Sequence, residues 1–378
     1  MNTTGLRVQG LDNDEVAADW PAISAGEVAW LGRHFAELAG GAQLRWHSPR
    51  PFSAAAIIES RQGRFFVKRH HCSVRTAADL REEHHFIGHL AGAGVPVVQV
   101  LQDSQGATAL EHEGWSYELQ AQARGRDLYR DVPSWTPLAD LDQAREAGRT
   151  LARLHQASAG YRAPPRSTHL LVARDDLIRA DDPLAMLAQQ LPQRPALAAY
   201  LARQRWQDDL RRALLRWHAA IAGRLRDEPR LWAHNDWHVS NLLWRGTPGR
   251  SAVATVLDFG LASPTSALFD LATAIERNAV AWLALGQGRQ AVHLDVALAL
   301  LDGYRQVHAV PAARIHLLAD LLPLVHFDFA LSEVEYFHGV TASVARADVA
   351  YHTFLLGHAD WFASPDGRWL LEALHAAA

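Results

Sequence analysis

The sequence predicts an α+β protein with a small antiparallel sheet, one helix inserted into it, and a larger, mainly helical part. In the first third of the chain, segments rich in β-branched and aromatic residues alternate with turn residues; these strand candidates lie at 43–47, 54–59, 64–68, 97–101, 107–111 and 115–120. A helical pattern at 76–92 interrupts them, and beyond Asp140 apolar residues recur at helical spacing. We therefore expect a smaller part over residues 1–122, with a helical lead-in over 1–40, and a larger part over 123–378.

Composition excludes several classes of protein. The chain has 378 residues, of which 49% are hydrophobic, which suits a globular protein with more than one core. Its formal net charge of −4 gives no electrostatic reason to expect nucleic acid as a partner. The single cysteine, Cys72, cannot form an intrachain disulfide and fits a reducing compartment. The first residues show no basic-then-apolar signal pattern, so we expect a cytoplasmic protein. No apolar run approaches the ~20 residues of a membrane helix, so we expect no membrane partner.

Two short motifs in the second half of the chain indicate a chemistry. Residues 234–241 read H-x-D-x-x-x-x-N, and D-F-G begins at Asp258. In this order they are the catalytic-loop and metal-loop signatures of kinases. Phosphoryl transfer needs a carboxylate beside the attacking hydroxyl and oxygen ligands for magnesium. Asp236 can supply the first, and Asn241 with Asp258 can supply the second.

The segment between these motifs predicts a hairpin. Residues 241–244 and 252–257 are strand-like, and 246–249 has the composition of a turn. The hairpin would place Asn241 at one open end and Asp258 at the other. Two side chains brought together in this way can hold one metal ion.

Lys68 is the only lysine among 37 basic residues, and it ends the strand candidate 64–68. An ammonium is a compact point charge, whereas a guanidinium is a broad planar fork. The strand context therefore favours a lysine that binds nucleotide phosphates over compositional drift toward arginine. Its expected partner is Glu83, which shares the apolar face of the 76–92 helix and is costly there unless it is paired. Glu82 is the alternative, although a solvated carboxylate suits it better.

The segment between the first two strand candidates, residues 48–53, lacks the glycine-rich pattern of protein kinases. Exposed backbone amides are nevertheless sufficient to bind an anion. We expect these amides and the hydroxyl of Ser53 to cover phosphate.

With these motifs, together with L-A-R-L-H at 151–155 and D-L-A at 270–272, the chain resembles the aminoglycoside phosphotransferase and choline kinase-like family of small-molecule kinases. The resemblance extends from about residue 43 to 300. It implies a two-lobed, protein kinase-like fold in which residues 1–122 form the nucleotide-binding lobe. It also implies ATP and Mg2+ as cofactors.

The resemblance implies a role for each motif residue. Asp236 would orient the acceptor hydroxyl and accept its proton, while Asn241 and Asp258 would bind magnesium. Lys68 would hold nucleotide phosphates, with Glu83 positioning it.

Three further roles concern the frame of the site. His234 would brace the catalytic loop, and Asp270 would anchor that loop from the next helix. Backbone groups of Ala121 and Ala123 would meet adenine at the hinge.

The acceptor is expected to be a small molecule. Asp270 follows Asp258 too closely for a long activation loop, no A-P-E follows, and position 238 is histidine where protein kinases usually have lysine. The candidates are an aminoglycoside or amino sugar, a choline-like amine, a sugar and a hydroxy amino acid. A nucleotide-binding pseudokinase is the alternative, and a protein kinase is a weaker one.

The acceptor pocket is expected in the helical part. One segment there mixes acids with aromatics that can receive a cationic amine, although packing alone is an alternative for each: Phe327, Asp328, Phe329, Glu333, Glu335, Tyr336 and Phe337. Trp232, Trp237 and Trp282 are further candidates for its lining, with the same alternative.

Overall fold

The computed structural model describes residues 19–48, 52–130, 132, 135–247 and 249–378. Its sheet is antiparallel and has five strands in the order β1-β2-β3-β5-β4. The strands are β1 (Ala42–His47), β2 (Ala54–Ser60), β3 (Gly63–His71), β4 (Ala109–His112) and β5 (Trp115–Ala121). The predicted small antiparallel sheet is therefore confirmed.

The strand predicted at 97–101 is wrong. The Val98 N–H donates to the carbonyl of Val256 at 3.2 Å, whereas the Leu101 N–H donates to Leu119 at 2.8 Å. Because the segment divides its hydrogen bonds between two partners, it makes isolated bridges and no continuous ladder.

Two helices accompany the sheet, α1 (Ala25–Leu31) and α2 (Ala77–Gly92). Thr76 caps α2 through a capping box with Asp79, which fixes where the predicted helix begins. A small core under the sheet includes Val28 of α1 and Val67 of β3. In contrast, Phe86 of α2 belongs to the larger core of the helical part, so α2 packs between the two cores.

The remainder is mainly helical, with two short strand pairs. Its helices are α3 (Leu141–Ser158), α4 (Asp176–Arg179), α5 (Pro183–Gln190), α6 (Pro195–Leu201), α7 (Trp206–Ala213), α8 (Leu215–Ile221), α9 (Arg224–Asp227), α10 (Ala267–Ala279), α11 (Leu294–Arg305), α12 (Ala312–Leu321), α13 (Phe327–Glu335), α14 (Val344–Asp348), α15 (His358–Phe362) and α16 (Pro365–Ala376). The strands are β6 (Arg230–Ala233), β7 (Leu242–Arg245), β8 (Ala252–Val256) and β9 (Ser263–Ser266), paired as β6-β9 and β7-β8.

α12 and α13 are separate helices, and Pro323 lies at the break between them. A π-helical turn, Tyr336–Val340, then continues α13. Among the described residues, no helix has the length and apolar character needed to cross a membrane.

The close crossing of α3 and α11 depends on two glycines. A Cβ at Gly148 would collide with the carbonyl of Leu300, and one at Gly303 would collide with the carbonyl of Arg145. Helix backbones can approach this closely only where side chains are absent. The crossing holds α3 in place, and His155 near the end of α3 reaches the functional site.

Candidate active site

Asp270 anchors the loop at 234–241 from the first turn of α10. Its two carboxylate oxygens accept the backbone N–H groups of His234 at 2.9 Å and Asn235 at 2.8 Å. His155 of α3 lies 3.0 Å from the same carboxylate, and Asp270 is fully buried. This is the anchoring geometry expected from the sequence. It also holds Asn235 in the left-handed region, at φ 62°.

His234 connects the two motifs. Its Nδ1 accepts the N–H of Asp236 at 3.1 Å, so its Nε2 carries the proton and donates to the carbonyl of Leu257 at 2.8 Å. The ring thereby joins the start of the catalytic loop to the residue before Asp258. The bracing position assigned to His234 is consistent with this geometry.

Asp236 lies in a dense set of polar contacts. Asn241 donates through Nδ2 to both the carbonyl oxygen (2.9 Å) and Oδ2 (3.0 Å) of Asp236. The guanidinium of Arg277 binds Oδ1, and His238 Nε2 lies 3.6 Å from the same atom. Burial alone would raise the pKa of Asp236, but Arg277 and then His238 outweigh it and hold that pKa well below its usual range.

Arg277 is a site residue that sequence reasoning missed. It lies on α10 two turns after Asp270, so helical periodicity places both on one face of that helix. That spacing was the available signal. The guanidinium also lies 5.3 Å from the ring of Trp135 and 5.7 Å from the ring of Phe329.

The predicted hairpin brings Asn241 and Asp258 to one end. Leu242 of β7 pairs with Val256 of β8, and the Leu257 N–H donates to the carbonyl of Asn241 at 2.8 Å. Because the amide nitrogen of Asn241 donates to Asp236, its amide oxygen is the atom of this side chain that could bind a metal ion. Asp258 has a left-handed backbone, at φ 52°.

The donor set at this end suits magnesium. An amide oxygen and a carboxylate are hard ligands, and Mg2+ in phosphoryl-transfer sites takes one or two such side chains together with phosphates and water. Among the described residues there is no cluster of three or more His, Cys, Asp or Glu that could hold a metal by itself. An ion held by Asn241 and Asp258 would take its remaining ligands from phosphates and water.

Lys68 reaches this end of the hairpin from β3. Its Nζ lies 3.0 Å from Oδ1 of Asp258, and its side chain is 12% exposed. Burial alone would lower the pKa of Lys68, but the nearby carboxylates of Asp258, Glu118 and Glu83 raise it above its usual value. The ammonium is thus charged and lies beside the metal-loop carboxylate.

Glu83 was the expected partner of Lys68, but the ion pair of Lys68 is with Asp258. Glu83 is buried, with 3% exposed, and its carboxylate is 3.9 Å from Arg166. Glu82 pairs with Arg166 at 3.1 Å. Glu118, which lies opposite Lys68 in the β3–β5 register, is a third acid that the sequence did not reveal.

Of the two hinge residues, Ala121 ends β5 and Ala123 follows it. The Ala121 N–H donates to the carbonyl of Gln99 at 2.9 Å, so only its carbonyl can serve a ligand. The Ala123 N–H donates to none of the described residues. At Gly125, φ is 113° and a Cβ would lie 2.8 Å from that of Ala254, so this tight turn requires glycine.

A contact joins the phosphate-loop segment to the helical part. Ser53 directly precedes β2, and the loop call at 49–51 lies outside the described residues. The ring of Phe52 packs 5.3 Å from that of Tyr336 and 5.8 Å from that of Phe337. Trp20 reinforces this contact, since its indole N–H donates to the carbonyl of Phe52 at 3.2 Å.

The same region is tied together by Asp19. The Tyr336 hydroxyl donates to Asp19 Oδ2 at 2.8 Å, and Arg346 forms an ion pair with Asp19 Oδ1. Asp19 and Trp20 precede α1, so one short segment contacts both the phosphate-loop segment and the helical part. We call Asp19, Trp20, Phe52, Tyr336 and Arg346 the strap.

The acid and aromatic segment in α13 has mixed outcomes. Phe327 is fully buried, which is the packing alternative, and Glu335 is bound to Arg194 at 2.6 Å. Asp328 accepts the N–H of Leu177 at 3.2 Å. Glu333 is buried, and this burial raises its pKa to about 8 although Arg277 and Arg346 oppose the rise.

The predicted lining tryptophans are buried as well. Trp232, Trp237 and Trp282 are 3%, 0% and 7% exposed, which fits packing. Trp282 stacks on His358 with ring centroids 3.6 Å apart.

The model of the phosphotransferase enzyme family (APH) matches residues 52–310. The chain belongs to this family. The resemblance expected from the motifs and the expectation of a phosphotransferase are thereby confirmed. No protein of curated function matches the chain.

Solved structures support the same fold. Amicoumacin kinase hAmiN, in complex with AMP-PNP, Ca2+ and Ami, aligns over 88% of this chain and 92% of its own, with 13% identity and a TM-score of 0.61. The microcompartment-associated aminopropanol kinase aligns over 93% and 99%, with 18% identity and a TM-score of 0.55. Ethanolamine kinase of Plasmodium vivax aligns over 87% and 83%, with 12% identity and a TM-score of 0.54.

Proposed function

We propose that this phosphotransferase moves the γ-phosphoryl group of Mg·ATP to a hydroxyl of a small molecule. The observation that supports it best is the convergence of Asp236, Asn241, Asp258 and Lys68 from the catalytic loop, the hairpin and β3. These four groups are the carboxylate, the two metal ligands and the phosphate-binding cation that phosphoryl transfer uses. A nucleotide analogue in the similar amicoumacin kinase structure also supports ATP binding.

The nucleotide would bind between the sheet and the helical part, with residues 1–122 as its principal lobe. The carbonyl of Ala121 and the N–H of Ala123 would meet adenine. Lys68 would contact the α- and β-phosphates, and Glu83 on α2 would help to position the Lys68 ammonium. Ser53 and its neighbouring amides would cover the phosphates.

Magnesium held by Asn241 and Asp258 would neutralise charge on the β- and γ-phosphates. Asp236 would accept a hydrogen bond from the acceptor hydroxyl and align it with the γ-phosphoryl group. Because Arg277 lowers the pKa of Asp236, this carboxylate is a weak base. We infer that its main contribution is orientation, and that the proton leaves the hydroxyl late in the transfer.

The acceptor class is tested first by measuring ADP release from Mg·ATP. The panel contains amino sugars, aminoglycosides, choline-like amines, small amino alcohols, hydroxy amino acids and simple sugars. Small amino alcohols belong in it because aminopropanol kinase and ethanolamine kinase share the fold.

Asp236→Asn is the blank for this assay, and Asp227→Asn is its matched control, because Asp227 is exposed at the end of α9. An acceptor-dependent signal that Asp236→Asn loses and Asp227→Asn retains supports the proposal. Nucleotide binding by both variants, with no acceptor-dependent ADP release by the wild type, would favour the pseudokinase alternative.

A further inference from the structure

Arg75, between β3 and α2, is a buried arginine whose side chain binds backbone carbonyls. The residue is 3% exposed, and among the described residues no carboxylate lies within ion-pair distance of it. Its guanidinium donates to the carbonyls of Val74, Leu170, Leu171 and Gly260. Burying a cation costs free energy unless hydrogen bonds compensate for it. A charge retained on these terms indicates that Arg75 fixes the backbone segments that it joins.

Two of these segments contain a non-glycine residue with a left-handed backbone. Nη2 of Arg75 donates to the carbonyl of Leu171 at 2.6 Å and to that of Gly260 at 3.2 Å. At Leu171, between α3 and α4, φ is 51°, and at Asp258 φ is 52°. Such a backbone is unfavourable for these residue types and persists only where the surroundings hold it. One guanidinium nitrogen therefore bridges two strained segments, of which one carries the expected metal ligand.

Arg166 connects the same region to α2. Its side chain is 1% exposed, and its Nε binds Glu82 of α2 at 3.1 Å. Its Nη1 donates to the carbonyl of Ala262 at 3.1 Å, and its Nη2 donates to the carbonyl of Asp79 at 3.2 Å. Two buried guanidinium groups thus hold two carbonyls of residues 258–262, which we call the metal loop.

The position of Gly260 bears directly on the Asp258 carboxylate. The Gly260 N–H donates to Oδ1 of Asp258 at 3.3 Å, and the same oxygen lies 3.0 Å from Nζ of Lys68. The carbonyl of Gly260 is the group that Arg75 binds. A shift of this peptide away from Arg75 would therefore displace a hydrogen-bond donor of the carboxylate.

We propose that Arg75 and Arg166 are positioning residues, which hold the metal loop in the conformation in which Asp258 can bind magnesium. This inference rests on the proposed function, in which Asp258 is a metal ligand, and extends it to two residues that would act through backbone carbonyls. Lysine at either position would keep the charge but lacks the planar fork that binds carbonyls of separate segments in fixed directions.

The first readout is the gain in nucleotide affinity that Mg2+ provides. AMP-PNP is titrated by calorimetry into the full-length protein, once with excess Mg2+ and once with EDTA, and the gain is the ratio of the two Kd values. We expect the gain to fall roughly 10-fold in Arg75→Lys, as when a hydrogen bond to a charged group is lost. The Kd in EDTA should remain close to that of the wild type. Arg166→Lys should change the gain in the same direction.

The second readout requires no nucleotide. Hydrogen exchange of the backbone amides at 258–262 is followed by mass spectrometry in the unliganded proteins. In the wild type, the N–H groups of Gly260 and Ala262 bond to Asp258 and to the carbonyl of Phe259. Exchange of this segment should be faster in Arg75→Lys, because the loop loses one of its restraints.

Arg179→Lys is the matched control. The Arg179 side chain is 12% exposed and donates to the carbonyls of Leu225 and Glu228, which belong to neither the catalytic loop nor the metal loop. This variant should exchange faster at 225–228 and keep both the Mg2+ gain and the protection of 258–262. Circular dichroism checks that the variants are folded, and Arg166→Lys carries the test if Arg75→Lys is not.

An Mg2+ gain in the arginine variants equal to that of the wild type would overturn the inference, because the two arginines would then have only a structural role. Failure of the proposed function has a different signature, since the wild type itself would then gain no affinity from Mg2+. In that case the exchange result decides alone whether the arginines hold the loop, and unchanged protection of 258–262 would overturn it.

Discussion

The guanidinium of Arg277 binds the carboxylate of Asp236 directly, and this pair connects α10 to the catalytic loop. Asn241 binds the other carboxylate oxygen at 3.0 Å, so Asp236 is fixed from two sides. A carboxylate held in this way loses little orientational freedom when the acceptor hydroxyl arrives. Arg277 is therefore a positioning residue that acts through Asp236.

Replacing Arg277 should change both the rate and its dependence on pH. Arg277→Gln removes the cation that holds the pKa of Asp236 down, so an acid-side loss of kcat should move to higher pH than in the wild type. We expect kcat to fall by roughly 10- to 100-fold, with Arg277→Lys recovering part of it. The measurement is a pH–rate profile of all three proteins with a saturating acceptor.

Arg216→Gln is the control for that profile, because Arg216 binds Asp360 in an ion pair that contacts none of the catalytic residues. An unchanged acid limb in Arg277→Gln would show that Arg277 has only a structural role.

Lys68 allows a test in which charge is conserved. Lys68→Arg keeps the positive charge but replaces a compact ammonium, 3.0 Å from Asp258, with a wider planar group. We expect kcat/KM for ATP to fall roughly 100-fold, as when one preorganised donor to a developing charge is lost. The fold should be retained, which circular dichroism checks. Activity close to the wild-type level would refute the argument drawn from the single lysine.

The sequence identified those parts of the site that lie close together along the chain. Asp236, Asn241 and Asp258 are joined by one loop and one hairpin, so spacing alone predicted that they would meet. Lys68 was found from composition and strand context. Its bond to Asp258 joins residues of two distant segments, and no local pattern predicted that contact.

The parts that were missed depend on tertiary packing. Glu118 lies beside Lys68 because the two residues are paired in the β3–β5 register. Arg277 binds Asp236 because the fold brings α10 against the catalytic loop. Asp19 meets Arg346 from the opposite end of the chain. The strand predicted at 97–101 failed for the same reason, because its backbone groups bond to two separate elements. Local sequence patterns do not determine which distant segments contact one another in the folded protein.

Glu276 should make stability depend on pH. Burial raises the pKa of Glu276 to about 7 in the folded protein, whereas the usual pKa of a glutamate side chain is 4.5. Between these values the folded state binds more protons than the unfolded state, so the free energy of unfolding should decrease as pH rises. The contribution is at most about 1.4 kcal/mol per pH unit. Denaturant unfolding from pH 5 to 8 should show a smaller decrease in Glu276→Gln than in the wild type, and an equal slope would contradict it.

The strap should control how the phosphate-loop segment rests on the helical part. Tyr336→Phe removes only the hydroxyl that binds Asp19 at 2.8 Å, while the ring against Phe52 remains. Loss of this hydrogen bond weakens the link between the segment that carries Phe52 and the helical part, so KM for ATP should rise by roughly 3- to 10-fold. Tyr351→Phe is the matched control, because its hydroxyl binds Asp209 at 3.0 Å in a comparable, partly buried pair among helical elements. Both variants should lose similar stability in thermal unfolding, but only Tyr336→Phe should change KM. Equal KM values for the two variants would limit the Asp19 contact to a structural role.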